Sequence, residues 1–150
     1  MEFLFTNGTN RDFVFLCGRL DEFLNETVGG EKQRKQYIQY NTLEHIHDVV
    51  LAYEDSVPMG CAAFKEYGPG VAEVKRVFLR EEYRGTGTAR QMISLVEQRA
   101  KEKGYVRLIL ETGVPLAAAV KLYQRMGYQR IENYGQYRDM KDSICMAKDI

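Results

Sequence analysis

The sequence is poor in cysteine and has no excess of either charge, with 21 basic and 21 acidic residues among 150. Its three cysteines, Cys17, Cys61 and Cys145, are far apart and form no C-x-x-C pair. A disulfide framework or a zinc ribbon is therefore not expected, and a reducing cytosol is the simplest location. The balanced charge argues against a general nucleic-acid-binding surface and against a polybasic membrane anchor.

Long hydrophobic runs are also missing. No segment approaches the roughly 18 apolar residues of a membrane span. The first residues carry an acidic side chain, Glu2, and their apolar stretch breaks at Asn7, so we expect no secretory signal. The length predicts one domain over residues 1–150, large enough to bury a core without disulfides or a structural metal.

Hydrophobic periodicity predicts an α/β fold in which helices cover the faces of a mixed sheet. The predicted order is β-α-α-β-β-β-α-β-α-β-β. Predicted strands cover residues 2–6, 48–54, 57–66, 71–79, 105–111, 128–132 and 143–148. Predicted helices cover residues 10–27, a less regular stretch over 31–43, a segment from 88 that ends near 104, and residues 116–126.

One loop carries the clearest chemical signal. Arg84-Gly85-Thr86-Gly87-Thr88-Ala89 lies between a predicted strand and a predicted helix. Glycines allow close approach of a ligand to the backbone, and the free N–H groups at a helix start attract anions. Arg84 and Arg90 add positive charge. The segment predicts an anion site, or else a strand-to-helix turn that merely needs glycine.

Three phosphate-binding motifs compete for this loop. A Walker loop requires a lysine after the glycines, and none is present. In a dinucleotide fingerprint the third glycine would stand where this chain has Arg90, and too little chain follows Glu111 to complete a doubly wound sheet. The third pattern, R-x-x-G-x-A, is matched by Arg84, Gly87 and Ala89.

This loop resembles the acetyl-CoA loop of the GNAT superfamily of N-acetyltransferases, whose pattern is Q/R-x-x-G-x-G/A. The lead-in Glu82-Tyr83-Arg84-Gly85 is similar to the family's E-Y-R-G. Its second cofactor segment, L-Y-x-x-x-G-F/Y, is resembled by Leu110-Glu111-Thr112 together with Leu122-Tyr123-Gln124-Arg125-Met126-Gly127-Tyr128. The resemblance runs through nearly the whole chain and implies a GNAT-like acyl-CoA N-acyltransferase fold.

The resemblance also implies how acetyl-CoA is held. Backbone groups of Val77, Phe78 and Leu79 would pair with the pantetheine arm and the acetyl carbonyl. Backbone amides of the loop would wrap the pyrophosphate, and they belong to Arg84, Gly85, Thr86, Gly87, Thr88, Ala89 and Arg90. The 71–79 strand would then diverge from the 106–111 strand, with a bulge. Many relatives carry an Asn or Gln where this chain has Leu116, so one polar cofactor contact is expected to be missing.

The implied catalytic residues are Glu73 and Tyr123. Acyl transfer to an amine needs a group that takes the amine's proton, and Glu73 is the candidate. Alternatively, a chain of water molecules takes the proton, and Glu73 is a solvent-facing carboxylate paired with Lys75. Tyr123 would protonate the leaving thiolate of CoA. The alternative for Tyr123 is an aromatic side chain that fills the apolar stripe of its helix.

The predicted function is an acetyl-CoA-dependent N-acetyltransferase, acting by direct attack in a ternary complex, with no metal. We expect the acceptor to be the amine of a small molecule, bound near the first two helices and the Tyr134–Tyr137 turn. A protein N-terminus or lysine is the alternative acceptor, and a non-catalytic acyl-CoA sensor is the alternative class. No nucleic-acid or membrane partner is expected, a homodimer is possible, and the predicted location is cytoplasmic.

Overall fold

The computed structural model describes residues 1–27, 43 and 45–150. Within them a seven-stranded sheet has the order β1-β2-β3-β4-β5-β7-β6. The strands are β1 (Glu2–Thr6), β2 (Asp48–Glu54), β3 (Val57–Gly68), β4 (Val71–Leu79), β5 (Arg107–Gly113), β6 (Gln129–Ile131) and β7 (Ser143–Asp149). The helices are α1 (Arg11–Thr27), α2 (Thr88–Glu102) and α3 (Ala117–Arg125), with 3-10 turns at Glu81–Tyr83 and Gly135–Tyr137.

The β4–β5 junction positions the site described below. It is parallel, whereas the other neighbouring strands are antiparallel. Its pairing covers only Val71–Glu73 of β4, and the remaining residues of that strand have no β5 partner. An extra residue interrupts the β3–β4 register near Arg76, whose φ of 57° is left-handed. This is a β-bulge. The predicted divergence of the two strands and the predicted bulge are confirmed.

The sheet has an apolar core on each face. The α2–α3 face holds the larger cluster, into which α2 buries Met92, Ile93, Val96 and Ala100. On the other face, α1 packs a stripe of Phe13, Leu16, Cys17 and Leu20 against β2, β3 and β4. Asn10 caps α1, since its Oδ1 accepts the N–H groups of Asp12 and Phe13 at 2.9 and 3.1 Å. β4 therefore has a buried side chain on either face.

The predicted element order agrees with the described part of the chain. The predicted irregular helix over residues 31–43 lies, except for its last residue, outside the residues that the structure describes. β5 begins two residues later than predicted, because the N–H groups of Val106 and Arg107 both bond to Gly70 O in a turn. Val106 is consequently 62% exposed. The two 3-10 turns were not predicted. No helix in the described ranges is both long enough and apolar enough to cross a membrane.

Candidate active site

A cavity of about 740 Å³ fills the gap where β4 and β5 diverge. It reaches both faces of the sheet, because Tyr123 of the α2–α3 face and Glu73 of the α1 face both line it. The predicted cofactor residues that line it are Val77, Phe78, Leu79, Arg84, Gly85, Gly87, Ala89 and Arg90. Thr86 and Thr88 do not. The Thr86 hydroxyl instead donates to Tyr83 O at 2.8 Å and lies 2.8 Å from the Thr88 hydroxyl, so these side chains brace the loop.

The loop before α2 is built from unpaired backbone donors. In the described part of the chain, none of the N–H groups from Gly85 to Arg90 donates to a backbone acceptor. Gly87 precedes α2 with a φ of 80°, and no side chain caps the helix. A Cβ at Gly85 or Gly87 would meet no atom within 4 Å, so glycine is needed for its dihedral and not for space. The loop fits a phosphate-bearing ligand.

The free edge of β4 continues from this loop. Phe78 and Leu79 pair with β3 on one side and have no β5 partner on the other. An extended ligand can add to such an edge as a strand does. The Arg84 Nε donates to Leu79 O at 2.9 Å, which occupies one carbonyl of the edge. The Arg84 guanidinium lies 4.8 Å from the ring centre of Phe23 on α1.

Tyr123 points into the cavity from α3. It is 6% exposed, and its ring packs edge-on against Tyr128 with centroids 5.6 Å apart. Burial alone raises the pKa of its hydroxyl, so the group stays protonated. The ring thus packs in the core, as the alternative interpretation held, and the residue also lines the cavity. Leu116 precedes α3 without capping it and lines the cavity, and the loss of a polar cofactor contact there stays a prediction.

Glu73 is buried, with 1% of its surface exposed, so the solvent-facing alternative is wrong. The Tyr134 hydroxyl donates to Glu73 Oε2 at 2.6 Å, and the Lys75 Nζ lies 4.0 Å from Oε1. Lys75 also donates to the Tyr137 hydroxyl oxygen at 3.4 Å. Burial lowers the pKa of Lys75, which Glu73 partly opposes. Both oxygens of Glu73 therefore have neighbours within the described residues.

Glu111 is a second carboxyl group in the site, which the sequence places in the second cofactor segment but does not identify as a catalytic residue. It lines the same cavity from β5 and accepts the Ser143 hydroxyl at Oε2, 2.7 Å away. Burial raises the pKa of Glu111 to about 7. The available signal was a glutamate in a strand of mostly apolar residues, on the face opposite Leu108 and Leu110.

The bulge residue Arg76 fixes α1 to β4. Its Nη1 lies 3.0 Å from Asp21 Oδ1, and its Nη2 donates to Cys17 O at 2.9 Å. Without the bulge, Lys75 and Arg76 would point to opposite faces. Their contacts place both on the α1 face. Beside the bulge and the free edge of β4 lies a group of polar side chains. We call it the polar cluster, and it consists of Glu73, Lys75, Glu111, Tyr134 and Tyr137.

The chain is similar in sequence to known acetyltransferases. The sequence profile of the acetyltransferase (GNAT) family matches residues 18–128. An uncharacterized N-acetyltransferase of Bacillus subtilis, YsnE, is 32% identical over 66% of this chain and 67% of its own length. An IAA acetyltransferase of Azospirillum brasilense is 29% identical over 91% of this chain and 90% of its own length.

Solved structures have the same fold. The PaiA N-acetyltransferase of Thermoplasma acidophilum, in complex with coenzyme A, matches with a TM-score of 0.74 at 19% identity over 100% of both chains. An acetyltransferase of the GNAT family from Staphylococcus aureus matches with a TM-score of 0.74 at 14% identity, over 99% of both chains.

Proposed function

The chain belongs to the acetyltransferase (GNAT) family, and we propose that it transfers the acetyl group of acetyl-CoA directly to the primary amine of a small molecule. Its acetyl-CoA-dependent acyltransferase activity follows from the family. The acceptor, the mechanism and the roles of single residues are our proposal. The observation that supports it most is the cavity itself, which passes between β4 and β5 and joins Tyr123 to the carboxyl groups of Glu73 and Glu111.

Acetyl-CoA fits the residues that surround this cavity. The unpaired N–H groups from Gly85 to Arg90 and the positive end of α2 would bind its pyrophosphate. The unpaired edge of β4 would hold its extended arm. When bound, acetyl-CoA supplies an acetyl group activated as a thioester. We propose that the chain binds, orients and moves protons around that group.

Tyr123 is the proposed proton donor. Tyr123 lines the cavity from the side of α3, and its raised pKa keeps the proton on its hydroxyl, which can then donate a hydrogen bond to the thiolate as that charge develops. A CoA thiolate, whose pKa of about 8.5 is that of an ordinary thiol, needs hydrogen-bond reach to such a donor. Among the described residues of α3 that line the cavity, two side chains carry a proton that could be donated, Tyr123 and Arg125, and Arg125 is exposed.

Glu111 is the proposed proton acceptor, and Glu73 is the second candidate. A base works best when its pKa lies near the working pH, and the pKa of Glu111 is about 7. One oxygen of Glu111 accepts from Ser143, which leaves the other for the amine or for a water molecule. Glu73 is held by Tyr134 and faces Lys75, so we assign it to holding the lysine in place.

Two measurements test the function. Acetyl-CoA at about 100 times its Kd should raise the melting temperature by roughly 5–10 °C, while NAD at equal concentration should leave it unchanged. Thiol release should then require both acetyl-CoA and an amine. A larger shift with NAD would restore the dinucleotide interpretation. Binding of acetyl-CoA without thiol release, over a broad set of amines, would favour an acyl-CoA sensor. Acetylation confined to peptides or proteins would favour the alternative acceptor.

A further inference from the structure

The polar cluster, together with α1, limits which amines can bind. Glu73 and Glu111 are the two carboxyl groups of the polar cluster, and Lys75 is its one amino group. Lys75 lies 4.0 Å from Glu73 Oε1 and also acts electrostatically on Glu111, so one cation faces two carboxyl groups that are both ionised once Glu111 has lost its proton. Arg76 also borders the cavity, but its guanidinium is paired with Asp21. Among the described residues, this end of the cavity is therefore short of one positive charge.

An ammonium group corrects that imbalance. A buried net charge is unfavourable, and the raised pKa of Glu111 shows that the carboxyl gains from a proton when no ligand is present. Tyr123, which is 6% exposed, lines the same cavity, so a phenol also borders the space that an amine would enter. An amine that enters as an ammonium ion gives Glu111 a partner and then a proton to accept.

A carboxylate on the amine-bearing carbon would find no second cation within the polar cluster as the structure describes it. Lys75 is already placed between Glu73 and the Tyr137 hydroxyl. The Arg84 guanidinium donates to Leu79 O, and Leu79 lies four residues beyond Lys75 on β4. The rise per strand residue puts this guanidinium roughly 10 Å or more from the Lys75 end of the polar cluster. A carboxylate bonded to the amine-bearing carbon cannot span that distance. With the ammonium paired to Glu111, this carboxylate would be an unpaired negative charge in a largely enclosed site, which is unfavourable.

The wall beside the cluster is apolar. Leu20, Phe23 and Leu24 follow one stripe of α1 and line the cavity on the same face as the polar cluster. The ring of Phe23 packs at 6.4 Å from that of Phe78, next to the free edge of β4. These three side chains offer hydrocarbon surface to the body of an acceptor, and the one polar side chain that the described part of α1 adds to the lining is Thr27, at the end of the helix.

We infer that the acceptor carries its primary amine on an apolar alkyl or aryl body, with no carboxylate on the amine-bearing carbon. This inference rests on the proposed function, because it names the substrate class of the same cavity. It sets such amines apart from α-amino acids, which carry the same ammonium group beside a carboxylate.

The affinities of four matched amines test this inference without requiring acetyl transfer. Calorimetry on the protein saturated with CoA would give the Kd of 2-phenylethylamine, ethylamine, L-phenylalaninamide and L-phenylalanine. We expect L-phenylalanine to bind at least about tenfold more weakly than its amide, because only the charge differs. We expect ethylamine to bind at least about tenfold more weakly than 2-phenylethylamine, because it lacks the ring. Equal affinities in either pair, or no binding by any probe, would overturn the inference.

Two variants show which residues cause the preference. Leu24→Ser should weaken 2-phenylethylamine and leave ethylamine unchanged, whereas Leu4→Ser, on an exposed leucine of β1, should change neither. Glu111→Gln should narrow the gap between L-phenylalanine and its amide. If Leu24→Ser and Leu4→Ser behave alike, or if the gap survives Glu111→Gln, the assignment to these residues is wrong.

The same experiment separates this inference from the proposed function. Should the probes bind in the expected order while acetyl-CoA gives no thiol release with them, the proposed function fails and the binding preference stands. Should thiol be released with L-phenylalanine as readily as with its amide, acetyl transfer stands and the inference fails.

Discussion

The loop before α2 and the polar cluster solve two binding problems in opposite ways. The loop presents backbone N–H groups from consecutive residues, Gly85 to Arg90, and its side chains mostly brace it. The polar cluster presents side chains from β4, β5 and the Tyr134–Tyr137 turn. A backbone site tolerates many side chains but needs the dihedral of Gly87, whereas a side-chain site depends on each group that forms it.

The difference explains what could be predicted from the sequence. The loop is contiguous, and glycine spacing before an amphipathic helix suffices to place it, as do the apolar stripe of α2 and the bounds of β4. The polar cluster depends on contacts between distant residues. Tyr134 meets Glu73 across 61 positions, and Ser143 meets Glu111 across 32.

Glu73 and Glu111 illustrate the limit. Glu73 could be proposed from the family resemblance, but its bond to Tyr134 could not, because no local pattern specifies how the turn after β6 folds over β4. Glu111 lies beside the gap only because β5 diverges from β4 after Glu73. Periodicity gave its face of the strand, but the divergence that opens a cavity beside it is a property of the whole sheet.

The largest expected effect lies in the polar cluster. Glu111→Gln keeps the shape and the bond from Ser143 but cannot take a proton, so kcat/KM should fall by about 10³-fold, within the range for a general base. In the unchanged protein, kcat/KM should rise with pH and level off above about 7, as Glu111 loses its proton. Glu73→Gln is the matched control and should retain this pH profile. A larger loss for Glu73→Gln would exchange the two roles.

The same carboxyl should make stability depend on pH. Burial raises the pKa of Glu111 from 4.5 to about 7, so between these values the folded chain holds a proton that the unfolded chain has released. The free energy of unfolding should fall as pH rises through this window, by roughly 3 kcal/mol in all. Glu111→Gln removes this loss.

Urea denaturation of both proteins measures it. The free energy of unfolding of the wild type should fall between pH 5 and pH 8, whereas that of the variant should not show this fall. The variant should therefore become more stable relative to the wild type as the pH rises. A difference between the two proteins that stays constant from pH 5 to pH 8 would show that Glu111 is not buried as described.

A smaller effect is expected at Tyr123, which faces the cavity from the α3 side. Tyr123→Phe keeps the ring packed against Tyr128 and removes the hydroxyl. If that hydroxyl protonates the leaving thiolate, kcat should fall by about 10²-fold while the affinity for acetyl-CoA stays within a few-fold. Tyr128→Phe tests the neighbouring hydroxyl, which donates to Glu97 and should not affect kcat in this way.

Melting curves of these two variants complete the comparison. A purely structural role for the Tyr123 hydroxyl predicts a lower melting temperature and normal turnover per folded molecule. That outcome would remove Tyr123 from the mechanism.

The central claim is that the loop binds acetyl-CoA and that the polar cluster handles the amine. The most direct test is the Kd of acetyl-CoA, measured by calorimetry on the wild type, Gly87→Val and Glu111→Gln. Valine disfavours the φ of 80° that sets the loop before α2, so Gly87→Val should weaken binding by at least about tenfold. Glu111→Gln should bind acetyl-CoA as the wild type does while turning over far more slowly. Normal affinity in Gly87→Val, or a matching loss of affinity in Glu111→Gln, would contradict this division between the two regions.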